Sequence, residues 1–467
     1  MTRVELAVVN GTVVGSSGRR QANLGVREGK IVYVGTEPIE AEHEIDALGL
    51  VVLPGGIDTH VHLMDPGSPD REDFPTGTAA AARAGVTTII EHTHGAPVRS
   101  AQDLAEKVAY LGGRSHVDFA LAAHAWPGEH DAVNQLWRAG VAFFKVFTCT
   151  THGIPGHDAA ALLRHFRSTS AVGARSLVHC EDDSITADAE RVLRGLGRVD
   201  GGILSEWRSR IAELTAVSVV SLLARATSAK VTIAHVSHPE VCDYILAERA
   251  RGADIAAEAC PQYFYLREDE VHELGALRKF TPPARANTAD DEAAMWQLLA
   301  RGALTHMSSD HAPSTMEHKC SGSIWDVHFG LPGIDTTFPA LIDAAATGVI
   351  DWTDVARVYA EVPARLYGLW PVKGALNVGC DADLAIVDPH AVWSVDDDAI
   401  ISKAGWSPYR GRPMVGRVVR TILRGREIAA GGEDPRSRSL CGRWLPGPGY
   451  GSRTGDQLPG GERGGHA

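Results

Sequence analysis

An α/β fold, a parallel (β/α)8 barrel beside a small discontinuous β-sandwich, is the fold class the sequence predicts, and three observations predict it. Eight short apolar runs alternate with helical patterns between about residues 53 and 371. Alternating β patterns without helices flank that region on both sides. The length of 467 residues suits a barrel of roughly 250 to 320 residues plus a smaller unit.

Residues 1–52 read as short alternating strands broken at Asn10-Gly11, Ser16-Ser-Gly18 and Glu28-Gly29, the first part of the sandwich. In the barrel region, 53–371, strands are expected at 51–57, 86–91, 117–123, 141–147, 175–180, 230–235, 253–259 and 304–309. Helical patterns lie between them at 76–84, 101–111, 158–166, 207–225, 239–251 and 290–301. A doubly wound open sheet competes with this reading. It normally carries a glycine-rich phosphate turn after its first strand, and Pro54-Gly-Gly-Ile-Asp-Thr-His is not one. Residues 372–430 return to a β pattern that rejoins the N-terminal strands, and 431–467, rich in Gly, Pro and Arg, read as a tail that is mobile or contacts a neighbouring subunit.

Composition is ordinary for a globular protein, with 44% hydrophobic and 22% charged residues. A net charge of −13 argues against nucleic acid or an anionic membrane as partner. Seven cysteines, at 149, 180, 242, 260, 320, 380 and 441, contain no CxxC pair and leave an odd one, so no disulfide framework is expected. With no signal pattern and no apolar run near about 18 residues, the expected location is cytoplasmic.

His60 and His62 stand at i and i+2 directly after an apolar run, so on a strand they share a face and converge on one point. Alone, such a pair is more often two hydrogen-bonded core histidines than a metal site. Lys145, His179, His235 and Asp310 follow, each at the end of an apolar segment. Barrel enzymes place their chemistry at those strand ends, so the six residues together predict a metal centre. Lys145, flanked by Phe143, Phe144, Val146 and Phe147, is expected to have a lowered pKa. Its neutral amine can capture carbon dioxide, and the resulting carbamate has two oxygens able to bridge two cations. A lysine snorkelling to the surface is the alternative.

In this order and spacing the six residues resemble the binuclear amidohydrolase superfamily, and within it the cyclic amidohydrolases: dihydroorotase, allantoinase and hydantoinase. Asp65-Pro-Gly67, Gly77-Thr-x4-Ala-Gly-Val-Thr-Thr88, Cys260-Pro-Gln-Tyr263 and Ser407-Pro-Tyr-x-Gly411 add to the resemblance, which runs from about residue 4 to 425. It implies a TIM-like metal-dependent hydrolase barrel holding two divalent ions, zinc foremost, with cobalt, manganese or nickel as alternatives. It also implies that His60, His62 and Asp310 hold the buried ion, His179 and His235 the exposed one, and carbamylated Lys145 bridges them. A metal-bridging hydroxide would attack the ring carbonyl, with Asp310 as general base and then acid.

Several features bear on which cyclic amide is opened. Leu63-Met64 follows His62 where dihydroorotases carry an arginine for the substrate carboxylate, which demotes that substrate. Phe144-Lys-Val-Phe-Thr-Cys149-Thr150 and Pro282-Pro-Ala-Arg285 resemble allantoinase, whereas Cys260-Pro-Gln-Tyr263 is the hydantoinase spelling. Allantoin is therefore the leading candidate, with hydantoinase, dihydropyrimidinase or cyclic imide hydrolase activity as alternatives. Met64, His94, Cys149, Thr150 and Arg285 are the expected substrate contacts. A homodimer or homotetramer is the expectation carried over from the family, and a non-catalytic scaffold or a decarboxylase on the same fold are the competing classes.

Other residues are set aside. His92 and His94 form a second His-x-His without sequence-evident partners. His124, His152 and His157 lie near strand ends, and His311, His318 and His328 fall in a loop long enough to act as a lid. Asp58 reads as an orienting or capping residue, and Trp325 and Phe329 as lid packing.

Overall fold

The computed structural model describes residues 3–431 and 433–451. Strands from both ends of the chain form one eight-stranded sheet. Five come from the N-terminal side (Val4–Gly15, Gly18–Arg27, Lys30–Gly35, Ala41–Asp46 and Val51–Pro54) and three from the C-terminal side (Leu384–Ser394, Pro413–Leu423 and Arg426–Ala430). The junction is an antiparallel pairing of Val51–Pro54 with Leu384–Val387. Val8, Val13, Leu24, Val26, Ile31, Leu384, Ile386 and Ile422 pack in one buried cluster on this sheet, which explains the alternating pattern at both ends of the sequence.

The barrel strands are Gly56–Val61, Val86–Glu91, Asp118–Leu121 with its continuation Ala123–His124, Phe144–Phe147, Arg175–His179, Lys230–Ile233, Ile255–Ala259 and His306–Met307. Neighbours pair in parallel throughout. The last strand region returns to the first, because the His62 N–H donates to His311 O at 2.8 Å and Val61 bridges His311 in parallel. Most strand residues are buried, as expected when helices cover the outside and side chains fill the inside.

The expected first strand, 51–57, is two strands in two different sheets. Val51–Pro54 belongs to the eight-stranded sheet and Gly56–Val61 opens the barrel. The Gly55-Gly56 pair makes the crossing possible. A Cβ on Gly55 would lie 2.3 Å from Thr87 Oγ1, and one on Gly56 would lie 2.8 Å from the Tyr359 ring. An apolar run cannot signal this change, since both sheets bury it.

The helices Phe74–Ala84, Ala101–Leu111, Ala159–Val172, Arg210–Thr227, Pro239–Ala250 and Ala289–Ala300 follow the expected pattern within a few residues at most ends. Asp73 caps the first by accepting from Thr76 N, and Ser100 with Asp103 forms a capping box on the second. Asp183–Gly195 and Thr337–Ala346 are helices that the sequence reading did not separate from loop.

Residues 441–447, within the stretch whose composition suggests mobility or a subunit contact, are held against the barrel's own third strand. Phe119 N donates to Arg443 O at 3.0 Å, Leu445 N to Phe119 O at 2.7 Å and Gly447 N to Gly140 O at 2.8 Å. The glycines serve close approach here: a Cβ on Gly442 would meet Val117 O at 1.9 Å. Residues 452–467 of that stretch lie outside the described residues.

Candidate metal centre and active site

His60 and His62 leave the first barrel strand on one face, and Asp310 reaches them from the loop after the last. His60 Nε2 lies 3.1 Å from Asp310 Oδ1 and His62 Nε2 lies 3.6 Å from the same oxygen. Lys145 Nζ is 3.1 Å from His60 Nε2. On the other side, His179 Nδ1 is 3.0 Å from His235 Nε2. All six residues line a single cavity with His94, His152, Thr281 and Phe329. The surfaces of Lys145 and of the four histidines are 1–2% exposed.

Backbone conformation marks the same place. Met64, His152, His235 and Asp310 have φ of 59°, 53°, 37° and 49°, a left-handed region that non-glycine residues adopt at a cost. All four line this cavity or the adjoining one. That second cavity, about 210 Å³, is bounded by Met64, Ser68, Arg71, His94, His152 and Phe329 among others.

Burial sets the charge states. It pushes His62 down to about 4 and Lys145 down to about 8, and it lowers His179 and, further, His235. Burial acts to raise the Asp310 carboxyl, but His60, His62 and His235 around it outweigh that effect and hold it well below the usual range. Imidazoles kept neutral at His62, His179 and His235, an amine able to lose its proton and an ionised carboxylate are a donor set suited to divalent cations. His179 Nδ1 and His235 Nε2 face each other, the two nitrogens a cation there would take, and His235 Nδ1 is buried without a hydrogen-bond partner.

Residues the sequence reading passed over orient this set. Glu258 Oε1 accepts from His60 Nδ1 at 2.6 Å and from the His235 N–H at 3.2 Å. Glu181 Oε2 lies 2.7 Å from His179 Nε2 and also accepts from Arg208 at 3.2 Å and from the Thr281 hydroxyl at 2.7 Å. Burial would raise the Glu181 carboxyl, but Arg208 and His179 hold it down to about 2. Asp58 accepts from Ser309 N at 3.0 Å and from the Tyr359 hydroxyl at 3.0 Å, so it ties the first strand to the segment carrying Asp310. Glutamates inside Leu177-Val-His-Cys-Glu181 and Ala256-Ala-Glu258 were readable only as acidic residues beside strand ends.

The expected substrate contacts divide. Met64 and His94 face the cavities. Cys149, Thr150 and Arg285 do not line them. Cys149 is fully buried with Sγ 3.1 Å from Arg208 Nη1. Thr150 is exposed, its N–H donating to Asp183 at 2.6 Å. Arg285 is buried against Glu213 at 3.9 Å and donates to the Arg208 carbonyl. Their chain positions near strand ends gave no sign of which way the side chains turn. His152 joins the cavity wall, whereas His157 turns to the Phe147 carbonyl at 3.2 Å and His311 to Glu72 at 3.3 Å.

The segment after Asp310 is tied down at two points. Lys279 Nζ donates to Ile324 O at 2.5 Å and Val327 O at 2.6 Å, and Lys319 Nζ donates to Lys279 O and His328 O, each at 3.0 Å. These two buried lysines pin the segment that presents Phe329 to the cavity. All seven cysteines are free, and no described helix is long and apolar enough to cross a membrane.

Comparison with known proteins gives the family. The amidohydrolase family model matches residues 51–427. The chain is 35% identical over 441 residues to an allantoinase from Rubrobacter xylanophilus, covering 92% of this chain and 96% of that protein. It is 31% identical over 440 residues to an L-hydantoinase from Paenarthrobacter aurescens, covering 92% and 95% respectively. The solved L-hydantoinase (dihydropyrimidinase) from Arthrobacter aurescens superposes with a TM-score of 0.89 at 29% identity, over 95% of this chain and 100% of that one. With the family match extending through the barrel and all the residues that converge on its cavity, the chain belongs to the amidohydrolase family.

Proposed function

We propose that this protein hydrolyses the C–N bond of a cyclic amide, a ureide ring with allantoin as leading substrate, at the centre formed by His60, His62, Lys145, His179, His235 and Asp310. The observation that carries the reading is the convergence of these six side chains on one buried cavity in a chain so similar to allantoinases. His60, His62 and Asp310 would hold one divalent ion and His179 and His235 a second, with Lys145 between them. When bound, two such ions, zinc foremost, supply an activated water at neutral pH and polarise the scissile carbonyl.

The chain's own residues do the rest. Lys145 as a neutral amine adds to carbon dioxide: an N–C bond forms, one amine proton leaves, and an anionic carbamate results. Asp310 takes a proton from the attacking water at a carboxylate oxygen and returns it to the departing ring nitrogen. Glu258 and Glu181 fix the tautomers of His60 and His179, so that the remaining ring nitrogens keep their lone pairs. The cavity wall of Met64, His94, His152 and Phe329 shields the ring from bulk water.

A hydantoinase or dihydropyrimidinase activity is the second reading, favoured by the L-hydantoinase superposition. Dihydroorotate fits less well, because Met64 stands where a carboxylate-binding arginine is expected, and nearby Arg71 is engaged by Pro313 O and Ser314 Oγ. A cytoplasmic homodimer or homotetramer completes the proposal. The test is ring opening of allantoin, 5-substituted hydantoins, dihydrouracil, dihydroorotate and a cyclic imide by zinc-loaded protein in bicarbonate, with Lys145→Ala beside each. Turnover of allantoin that Lys145→Ala abolishes is expected. Failure to open any ring by protein that holds two zinc ions would sink the proposal.

A further inference from the structure

The second His-x-His has a partner that spacing along the chain does not reveal. His92 and His94 follow strand Val86–Glu91, and His124 ends the neighbouring strand, so parallel pairing sets the three side by side. One nitrogen from each lies within 4.8 Å of the others. Both ring nitrogens of His92, both of His124 and Nε2 of His94 are buried with no hydrogen-bond partner.

That is an unusual condition. A neutral imidazole carries one N–H and one lone pair, and burial of either without a partner leaves its desolvation uncompensated. The walls supply no hydrogen-bond partner: Phe143 meets His92 at 5.4 Å between ring centroids and Phe147 stacks on His124 at 6.4 Å, while the His60 and His62 rings lie 4.7 and 4.5 Å from His92, which makes His92 a neighbour of both centres. Lys107, which faces His124, pairs with Glu91 at 2.7 Å, and Lys145 faces both His92 and His124 from the first centre.

We propose that His92, His94 and His124 hold a further divalent cation, of the borderline kind that imidazole favours, zinc above all. Three imidazoles converging with an open fourth position make a recurrent zinc site. His94 also lines both cavities, so an ion here can take an oxygen of a bound ring or of the carboxylate released by its opening. That last role rests on the hydrolase reading; the binding of the ion does not.

Zinc per chain, measured after loading and dialysis against metal-free buffer, tests this in wild type, His94→Ala, His124→Ala and Lys145→Ala. Loss of one zinc per chain in the two histidine variants, with one ion retained in Lys145→Ala, is expected. If His124→Ala fails to fold by circular dichroism, the half-buried His94→Ala still decides. Equal zinc in wild type and His94→Ala overturns the inference, and so does loss of more than one ion, which would assign these histidines to the first centre. Loss of one ion in the histidine variants with no loss in Lys145→Ala would uphold this site and count against the two-ion centre instead.

Discussion

Glu258 stands between two buried histidines, with Oε1 2.6 Å from His60 Nδ1 and Oε2 3.7 Å from His306 Nε2. Burial would raise this carboxyl, yet His60 and His306 outweigh burial and hold it far below the usual range. An ionised Glu258 can only accept, so His60 carries its proton on Nδ1 and offers Nε2 toward Lys145 and Asp310. Glu258→Gln should therefore weaken metal binding by about 10- to 100-fold while leaving the fold intact. Competition with a chelator of known affinity measures this, and unchanged affinity would remove the orienting role.

Lys145 titrates near 8 because burial disfavours its ammonium form. Only the neutral amine reacts with carbon dioxide, so the reactive fraction is about one half at pH 8 and roughly one hundredth at pH 6. Reactivation of metal-stripped protein by zinc and bicarbonate should accordingly be much faster at pH 8 than at pH 6. Lys145→Arg, whose guanidinium keeps its charge, should not reactivate at either pH. A rate independent of bicarbonate would argue against carbamylation.

Tyr359 donates its hydroxyl to Asp58 at 3.0 Å in a fully buried site. Tyr359→Phe removes a partner from a buried carboxyl and should cost about 1–3 kcal/mol of stability. Urea unfolding reads the loss. Because Asp58 also holds Ser309, one residue from Asp310, kcat should fall more than KM rises.

His165, on helix Ala159–Val172, sits against Ser176 Oγ at 3.0 Å, and burial pushes it down to about 3. Its folded pKa is below the unfolded value of about 6.5, so the unfolded chain binds the extra proton. The stability it contributes is complete above pH 6.5 and declines as pH falls toward 3, by about 2 kcal/mol at pH 5. His165→Gln should flatten the difference between unfolding midpoints at pH 5 and pH 7. An undiminished difference would assign the acid sensitivity elsewhere.

Lys279→Met and Lys319→Met remove the donors that pin the segment around Ile324, Val327 and His328. Faster proteolytic cleavage between 313 and 330 is expected, together with a higher KM, since Phe329 is carried on that segment. Cleavage at the wild-type rate would show that packing alone holds the lid.

The ligand candidates were legible because a strand end is a place that sequence can mark: an apolar run stops and a polar residue follows. His60, His62, His179 and His235 announce themselves that way, and Lys145 does so as the one charge inside an apolar run. Glu181, Glu258 and Arg208 do not, because their role depends on which neighbour each side chain meets across the barrel. Cys149 and Arg285 illustrate the converse, since residues next to the right motif turn away into Arg208 and Glu213. His124 completes a triad with His92 and His94 only through the pairing of two strands about thirty residues apart. The split of 51–57 between two sheets was equally hidden, since a buried residue reads the same in either.

The strap formed by 441–447 also has a temporal meaning. Arg443 N donates to Asp118 Oδ1 across 325 positions of sequence, and Arg424 and Lys373 meet the same aspartate. During synthesis the third barrel strand must therefore wait for nearly the whole remaining chain before its outer contacts can form. Its exposed edge and the Asp118 carboxyl are at the mercy of solvent and of other nascent chains until then. Among the described contacts of Asp118, those of the strap are therefore the last to be synthesised, after Lys373 and Arg424.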